Sequence, residues 1–323
     1  MHSDSPVVSV IVLTYNQENY IRQCIESVLS QETEYPFEVI LGEDMGTDST
    51  REICKQYAAE DDRIILPDRE KNLGVTMNWV RCVQQARGKY VMSIGGDDFW
   101  HNFEKIQMQV EFMEKHPECV ICHTDKNILY TRTNKLIRDF NRCKGINPPE
   151  GRIQKEVVAG REHIAAGTMC IRRDMIVRHL PFELFEREQF PCEDWPTIVI
   201  LSAYGDVRYI PVSTITYRIG QESVLNQRDY DKIRRYWKQS GNMTRVMHEL
   251  FPKELGPYED EPYFTQYVNH SLLKAAYVNN DYESAQGFAR LDPSKGLAPK
   301  MARSKMTFQL FRGWELFKSF FNY

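Results

Sequence analysis

The first 125 residues alternate between short β-branched apolar runs and amphipathic helical stretches, and this alternation constrains the fold more than any other feature of the chain. Val7–Leu13 reads Val-Val-Ser-Val-Ile-Val-Leu, the pattern of a strand buried on both faces of a parallel sheet. Asn19–Gln31 follows, with Tyr20, Ile21, Cys24, Ile25, Val28 and Leu29 at helical spacing. Phe37–Leu41 is a second strand, and Ser49–Ala59 is a helix capped by Asp48 or Ser49. Arg63–Leu66, Tyr90–Ile94 and Val120–Asp125 continue as strands, separated by helices at Val75–Ala86 and Phe103–Lys115. Strand–helix–strand repetition at this pitch calls for right-handed crossovers, and so predicts an α/β fold with a mostly parallel sheet flanked by helices.

Beyond residue 125 the pattern loosens. Arg132–Gly160 is polar and carries Asn147-Pro-Pro-Glu-Gly151, which predicts a loop or hairpin over the site. Gly167–Ile171, Val207–Pro211 and Thr214–Tyr217 read as short strands, and Trp195–Tyr204 as a helix. From Asp229 onward strands disappear, and Tyr230–Leu250, Pro262–Asn279 and Tyr282–Arg290 read as helices. The expected organisation is an α/β domain over 1–225 and a helical C-terminal region over 226–323.

Composition narrows the classes. Forty-one Lys+Arg against forty-five Asp+Glu give a formal net charge of −4, so no global basic field exists to hold nucleic acid. The eight cysteines are scattered, the N-terminus lacks a basic cluster before its apolar run, and no apolar stretch approaches the ~20 residues of a membrane helix. A cytoplasmic location with free thiols is expected. Cys119 and Cys122 have the spacing of half a zinc site, but no second pair follows, so they read as buried strand residues.

Carboxylates gather where the early strands end: Glu43 and Asp44 after the second, Asp97 and Asp98 after the strand at Tyr90–Ile94. In open α/β sheets that edge is where ligands bind. Asp97-Asp98 reads either as a turn that caps the next helix or as a divalent-cation site, because adjacent carboxylates repel and an ion with oxygen ligands relieves the repulsion. Such an ion also takes phosphate oxygens from a substrate. Thr14, Tyr15 and Asn16 end the first strand beside Glu43 and Asp44, offering an aromatic face for a base and acceptors for its N–H or a ribose hydroxyl. No Gly-x-Gly-x-x-Gly follows the first strand and no Gly-x-x-x-x-Gly-Lys-Ser/Thr occurs, which disfavours both the dinucleotide-binding fold and the P-loop.

Val8-Ser-Val-Ile-Val-Leu-Thr-Tyr-Asn16 and Ile25-Glu-Ser-Val-Leu-Ser-Gln31 resemble the opening of the family 2 inverting glycosyltransferases of the GT-A fold. Glu43-Asp-Met-Gly-Thr-Asp-Ser-Thr50, Asn72-Leu-Gly74, Asn78, Ala86-Arg-Gly88 and Gly96-Asp-Asp98 follow in that family's order. The match is strong over roughly residues 6–125, weaker over 165–225, and absent from the tail. The resemblance implies that Thr14, Tyr15, Asn16, Glu43 and Asp44 line the nucleotide pocket, with Asp44 on the base and Asp97 near the ribose or donor sugar. It implies Asp98 as the ligand of Mn2+ or Mg2+ and Asp194, in Cys192-Glu-Asp-Trp-Pro196, as catalytic base. Tyr217-Arg218 resembles a segment leading into a mobile loop that covers the donor diphosphate. The chain departs from the pattern at Glu43, where Asp is usual, at Met45, where glycine is usual, and at Leu13.

The expected activity is inverting transfer of a hexosyl or N-acetylhexosaminyl group from a nucleotide donor, a UDP-sugar, to a hydroxyl of a glycan or lipid-linked saccharide in surface polysaccharide synthesis. The alternatives are a non-catalytic nucleotide-sugar-binding relative, disfavoured because Asp44, Asp98 and Asp194 persist, and a nucleotidyltransferase, disfavoured because the loop after the first strand is neither glycine-rich nor basic. His101, His123 and His163 read as structural or surface residues. At the C-terminus, Met306, Leu310, Trp314, Phe317 and Phe321 share one helical face beside Phe311 and Phe320, with Lys305 and Arg312 on another. Such a helix either docks on protein, as on its own appendage or in a homodimer, or lies peripherally at the inner face of a membrane.

Overall fold

The computed structural model describes residues 5–220, 229–259, 262–291 and 296–321, with side chains except at 262–266 and 314–321. The chain divides into two compact units: Met1–Leu129 with Leu136–Arg218, and Tyr130–Lys135 with Ile219–Tyr323.

The first unit is built on a sheet of nine strands: β1 (Val8–Thr14), β2 (Phe37–Glu43), β3 (Ile64–Ile65), β4 (Tyr90–Gly95), β5 (Phe99–Trp100), β6 (Cys119–Tyr130), β7 (Lys135–Ile137), β8 (Cys170–Arg172) and β9 (Asp206–Ile219). Their order is β3-β2-β1-β4-β8-β6-β9-β5, with β7 beside β6. The parallel arrangement read from the sequence holds from β3 to β4. Beyond β4 the recorded pairings, β4–β8, β6–β8 and β5–β9, are antiparallel. Pairing register levels the strand ends: Thr14 lies opposite Glu43, and Leu13 opposite Gly95. Three carboxyl termini therefore meet at one edge.

Burial on both faces explains the apolar runs. Val8, Val10 and Val12 pack with Ile21, Cys24, Ile25 and Val28 of α1 (Ile21–Leu29), while Ile11, on the other face, is equally buried. Each such side chain contributes roughly 1.5–3 kcal/mol, and truncating Ile25 to alanine would cost about 2–5 kcal/mol. Helices α2 (Thr50–Glu60), α3 (Val75–Gln85), α4 (Lys105–Lys115) and α5 (Asp194–Leu201) complete the layers that matter for the site. Cys119 and Cys122 are free and buried in β6.

Three expectations change in detail. The two short strands at 207–217 are one continuous β9, because Pro211 falls at an exposed position where a missing N–H leaves nothing buried unpaired. Gly167 lies in a 3-10 turn, Ala166–Thr168, so the following strand starts only at Cys170. The polar stretch after Arg132 returns as β7 on β6 and then forms short helices at Phe140–Cys143 and Gln154–Val158.

The second unit holds α6 (Tyr230–Leu250), α7 (Pro262–Val278), α8 (Tyr282–Leu291) and α9 (Lys305–Phe321). Asp229 caps α6 by accepting from the Asp231 and Lys232 N–H groups. Leu273, Ala276 and Tyr277 pack with Phe288, Phe308 and Phe311 in its core. The C-terminal helix thus docks through Phe308 and Phe311, while Met306 and Leu310 of the expected apolar face stay 73% and 62% exposed. The side chains of Trp314, Phe317, Phe320 and Phe321 lie outside the described residues, as does the loop expected to cover the donor at 221–228. Among the described residues no helix is long and apolar enough to cross a membrane.

Candidate active site

The loops leaving β1 and β2 are stitched together by their own polar groups. Asn16 Oδ1 accepts the Thr47 N–H at 2.6 Å, the Gln17 N–H donates to Thr50 Oγ1 at 2.7 Å, and the Glu18 N–H to Asp48 Oδ2 at 3.0 Å. Asn16 and Met45 both have left-handed backbone, φ 53° and 60°. Asparagine tolerates that region, whereas methionine there costs about 1 kcal/mol, which gives the usual glycine its physical reason. Tyr15 stays 47% exposed, with its ring free to stack on a planar ligand.

The first acid pair is consumed locally. Buried Glu43 accepts the Gly46 N–H at 2.6 Å and pairs with Arg51 at 2.9 Å. Asp44 accepts the Leu73 N–H with one carboxylate oxygen and the Gly74 N–H with the other, both at 2.8 Å, while Asn72 Nδ2 donates to its carbonyl. Burial raises the Asp44 pKa and the two amides pull it back.

The second pair sits differently. A Cβ added at Gly95 would lie 2.8 Å from Asp97 Oδ1 and 3.9 Å from Asp98 Oδ2, so both carboxylates overhang that glycine. One added at Gly96 would meet Gln17 Oε1 at 2.6 Å and Thr14 Oγ1 at 2.7 Å. Those two atoms are buried and have no protein partner among the described residues. Asp98 Oδ1 accepts the Arg218 N–H at 2.8 Å, yet its pKa stands well above the carboxylate range, first through burial and then through Asp97. The Arg218 guanidinium donates to the Asp97 carbonyl and to Gln23 Oε1, between the rings of Tyr20 (5.1 Å) and Phe99 (4.7 Å). It anchors the acidic turn from β9.

Two carboxylates over a glycine suit a divalent cation whose remaining ligands come from phosphate and water, and a cation there would relieve the charge strain on Asp98. Among the described residues no three His, Cys, Asp or Glu side chains converge as a self-sufficient metal cage. That donor set fits a metal bound together with a substrate.

Asp194 opens α5, one residue inside the cap position held by Glu193, and accepts the Trp195 N–H at 2.8 Å. Glu193 is buried, and burial followed by Asp194 pushes it up to about 8. Tyr217 of β9 feels both this region and the acidic turn. Its hydroxyl is pushed up to about 12 by burial and then by Asp98, Asp97 and Asp194. Carboxylates about a hundred positions apart in the chain thus act on one partly exposed side chain. A cavity of about 10 Å³ beside Trp79, Ser93, Glu193 and Asp194 has room for one water.

The larger cleft, about 700 Å³, opens at the opposite edge, where Pro6 and Lys89 precede β1 and β4. Its Arg87 and Lys89 already pair with Glu38 and Glu114, and Arg172 donates to carbonyls of Cys119, Met113 and His116. Size does not mark the chemistry here; the acidic turn beside the orphaned Thr14 and Gln17 oxygens does. His101 is held by Thr216 and Ser213, His123 is buried beside Tyr209, and His163 is exposed. Gln17 is the site residue that sequence reasoning missed. Its only signal is its place after Thr14-Tyr15-Asn16, since glutamine is not diagnostic of any chemistry.

A family model, Glycosyl transferase family 2, matches residues 9–180. Among curated proteins, the chain is 27% identical over 238 residues to the uncharacterized protein Rv1520 of Mycobacterium tuberculosis, covering 73% of this chain and 65% of that one. It is 35% identical over 124 residues to the putative teichuronic acid biosynthesis glycosyltransferase TuaG of Bacillus subtilis, covering 38% of this chain and 48% of TuaG. The matched regions thus span half to two thirds of these relatives. Its fold is similar to S. aureus TarS 1-349 in complex with UDP-GlcNAc (TM-score 0.52, 16% identity, 96% of this chain and 90% of that one). It is also similar to the mannosyltransferase PcManGT of Pyrobaculum calidifontis in complex with GDP-Man and Mn2+ (TM-score 0.55, 14% identity, 98% and 84%). The sheet with its flanking helices is of the GT-A kind.

Proposed function

Since the chain belongs to glycosyl transferase family 2, we propose that it transfers a hexose or N-acetylhexosamine, with inversion, from a UDP-sugar to a hydroxyl of a glycan or lipid-linked saccharide in surface polysaccharide synthesis. The observation that carries this reading is the acidic turn itself: Asp97 and Asp98 overhang Gly95 at the strand edge, beside the orphaned Thr14 and Gln17 oxygens. TuaG, named for teichuronic acid biosynthesis, and TarS, bound to UDP-GlcNAc, support the donor and pathway class.

In this reading Tyr15 stacks on the base, and Asp44 presents a remaining lone pair to it while its loop is held by Leu73 and Gly74. Glu43 and Asn16 hold the two loops in register. Asp97 faces the ribose or donor sugar, and Asp98 would hold Mn2+ or Mg2+. Such a cation would supply positive charge against the diphosphate and the leaving group. The Asp194 carboxylate accepts the proton of the acceptor hydroxyl as that oxygen attacks the anomeric carbon, and the bond from that carbon to the diphosphate oxygen breaks on the opposite face. A positioned base of this kind supplies ~10²–10⁴-fold in rate. Tyr217 and Arg218 border the diphosphate, Arg218 by fixing the turn.

The test is a proton NMR time course with UDP-glucose, UDP-galactose, UDP-N-acetylglucosamine and GDP-mannose, with and without Mn2+, over a panel of saccharide acceptors. Metal-dependent consumption of a UDP-sugar, with a β-linked product from an α-linked donor, is the expected result. Retention of configuration, or consumption of GDP-mannose alone, would overturn the mechanism or the donor.

A further inference from the structure

We propose that the exposed face of α9 docks on an anionic lipid surface, an inference that does not rest on the donor reading. This helix carries two apolar faces where folding needs one. Phe308 and Phe311 point into the helical unit, each ring 4.8 Å from Tyr277. Met306 and Leu310, one turn apart on a different face, are 73% and 62% exposed. The sequence repeats large apolar residues at Trp314, Phe317 and Phe321 with the same helical spacing. Met306 and Leu310, exposed together on a helix already docked through another face, form an apolar surface that calls for an occupant.

Charge decides which. From Gly296 to the end of the sequence there are five basic residues (Lys300, Arg303, Lys305, Arg312 and Lys318) and one acid (Glu315), in a chain whose net charge is −4. Lys300, Arg303 and Lys305 are exposed. An acidic protein thus concentrates positive charge around this helix with its second, exposed apolar face, which matches a negatively charged membrane surface. A second copy fits less well, since a symmetric contact would set the same basic segment against itself.

Vesicle co-sedimentation of the full chain tests this, with phosphatidylglycerol–phosphatidylcholine vesicles against phosphatidylcholine alone at low and high salt. The expected result is binding to the anionic vesicles that weakens more than about tenfold at high salt. Met306→Glu/Leu310→Glu should lose at least about tenfold of it with an unchanged melting temperature, since both side chains are exposed. Absence of binding by the wild-type chain, or undiminished binding by the double variant, would overturn the proposal. So would a dimer, seen by analytical ultracentrifugation, that the same variant dissociates, because a second copy would then cover the face. UDP binding measured on the same samples separates a failure here from a failure of the donor site.

Discussion

Two acid pairs flank β1, one at the end of β2 and one just past β4, and they have opposite fates. Glu43 and Asp44 meet Arg51 and the N–H groups of Gly46, Leu73 and Gly74, so they organise loops. Asp97 and Asp98 overhang a glycine together, and Asp98 is driven upward by burial and by its neighbour in spite of one N–H from Arg218. A carboxylate whose charge is met by its own chain first of all shapes a loop, and Asp44 has only a spare lone pair left for the base; a pair pressed together beside the orphaned Thr14 and Gln17 oxygens is a place for a cation.

This contrast can be broken by substitution. Asp98→Asn keeps the oxygen that accepts the Arg218 N–H but removes the charge. Metal-dependent transfer should fall at least about 10³-fold, while the melting temperature holds or rises because a strained buried charge is gone. Asp194→Asn should lower kcat by about 10²–10⁴-fold with nucleotide affinity unchanged, since it acts on the acceptor side. A parallel loss of nucleotide affinity would merge the two roles. At the first pair, Glu43→Ala should destabilise the fold by about 2–4 kcal/mol in urea titration, because Arg51 and the Gly46 N–H lose their partner. Normal stability with lost nucleotide binding would make Glu43 a ligand contact instead and erase the contrast.

A subtler sharpening uses pH. The folded chain keeps a proton on Glu193 up to about 8, whereas the unfolded chain releases it near 4.5. Between those values the folded state binds more protons, so this group makes stability fall as pH rises. Glu193→Gln should remove that slope: little difference from wild type near pH 4, and greater stability at pH 8, read from unfolding midpoints across the range. An unchanged slope would place Glu193 in a better-solvated setting than its burial indicates.

Much of this was legible beforehand for identifiable reasons. β1 and α1 announce themselves because both faces of Val8–Thr14 are buried and α1 buries one stripe. The acids at the strand ends stand out because charge after an apolar run is chemically conspicuous. What the sequence could not show was that the Glu43 and Asp44 carboxylates are met by their own chain while Asp97 and Asp98 overhang one glycine. Their difference depends on Arg51, Leu73, Gly74 and Arg218, brought in by folding from 8 to 120 positions away. Gln17 was invisible for the same reason: its significance is an unpaired oxygen against Gly96, which exists only in three dimensions. The C-terminal helix was read as having one apolar face because Phe308, which turns inward with Phe311, does not fall on the stripe that runs from Met306 to Phe321.

Calorimetric titration of UDP and GDP, first with Mn2+ and then with chelator, on the wild-type chain and on Asp98→Asn, tests most directly whether the second pair is the site. UDP binding that needs the metal, exceeds GDP binding and vanishes in the variant is the expected result. Equal binding in chelator, or undiminished binding by Asp98→Asn, would contradict it.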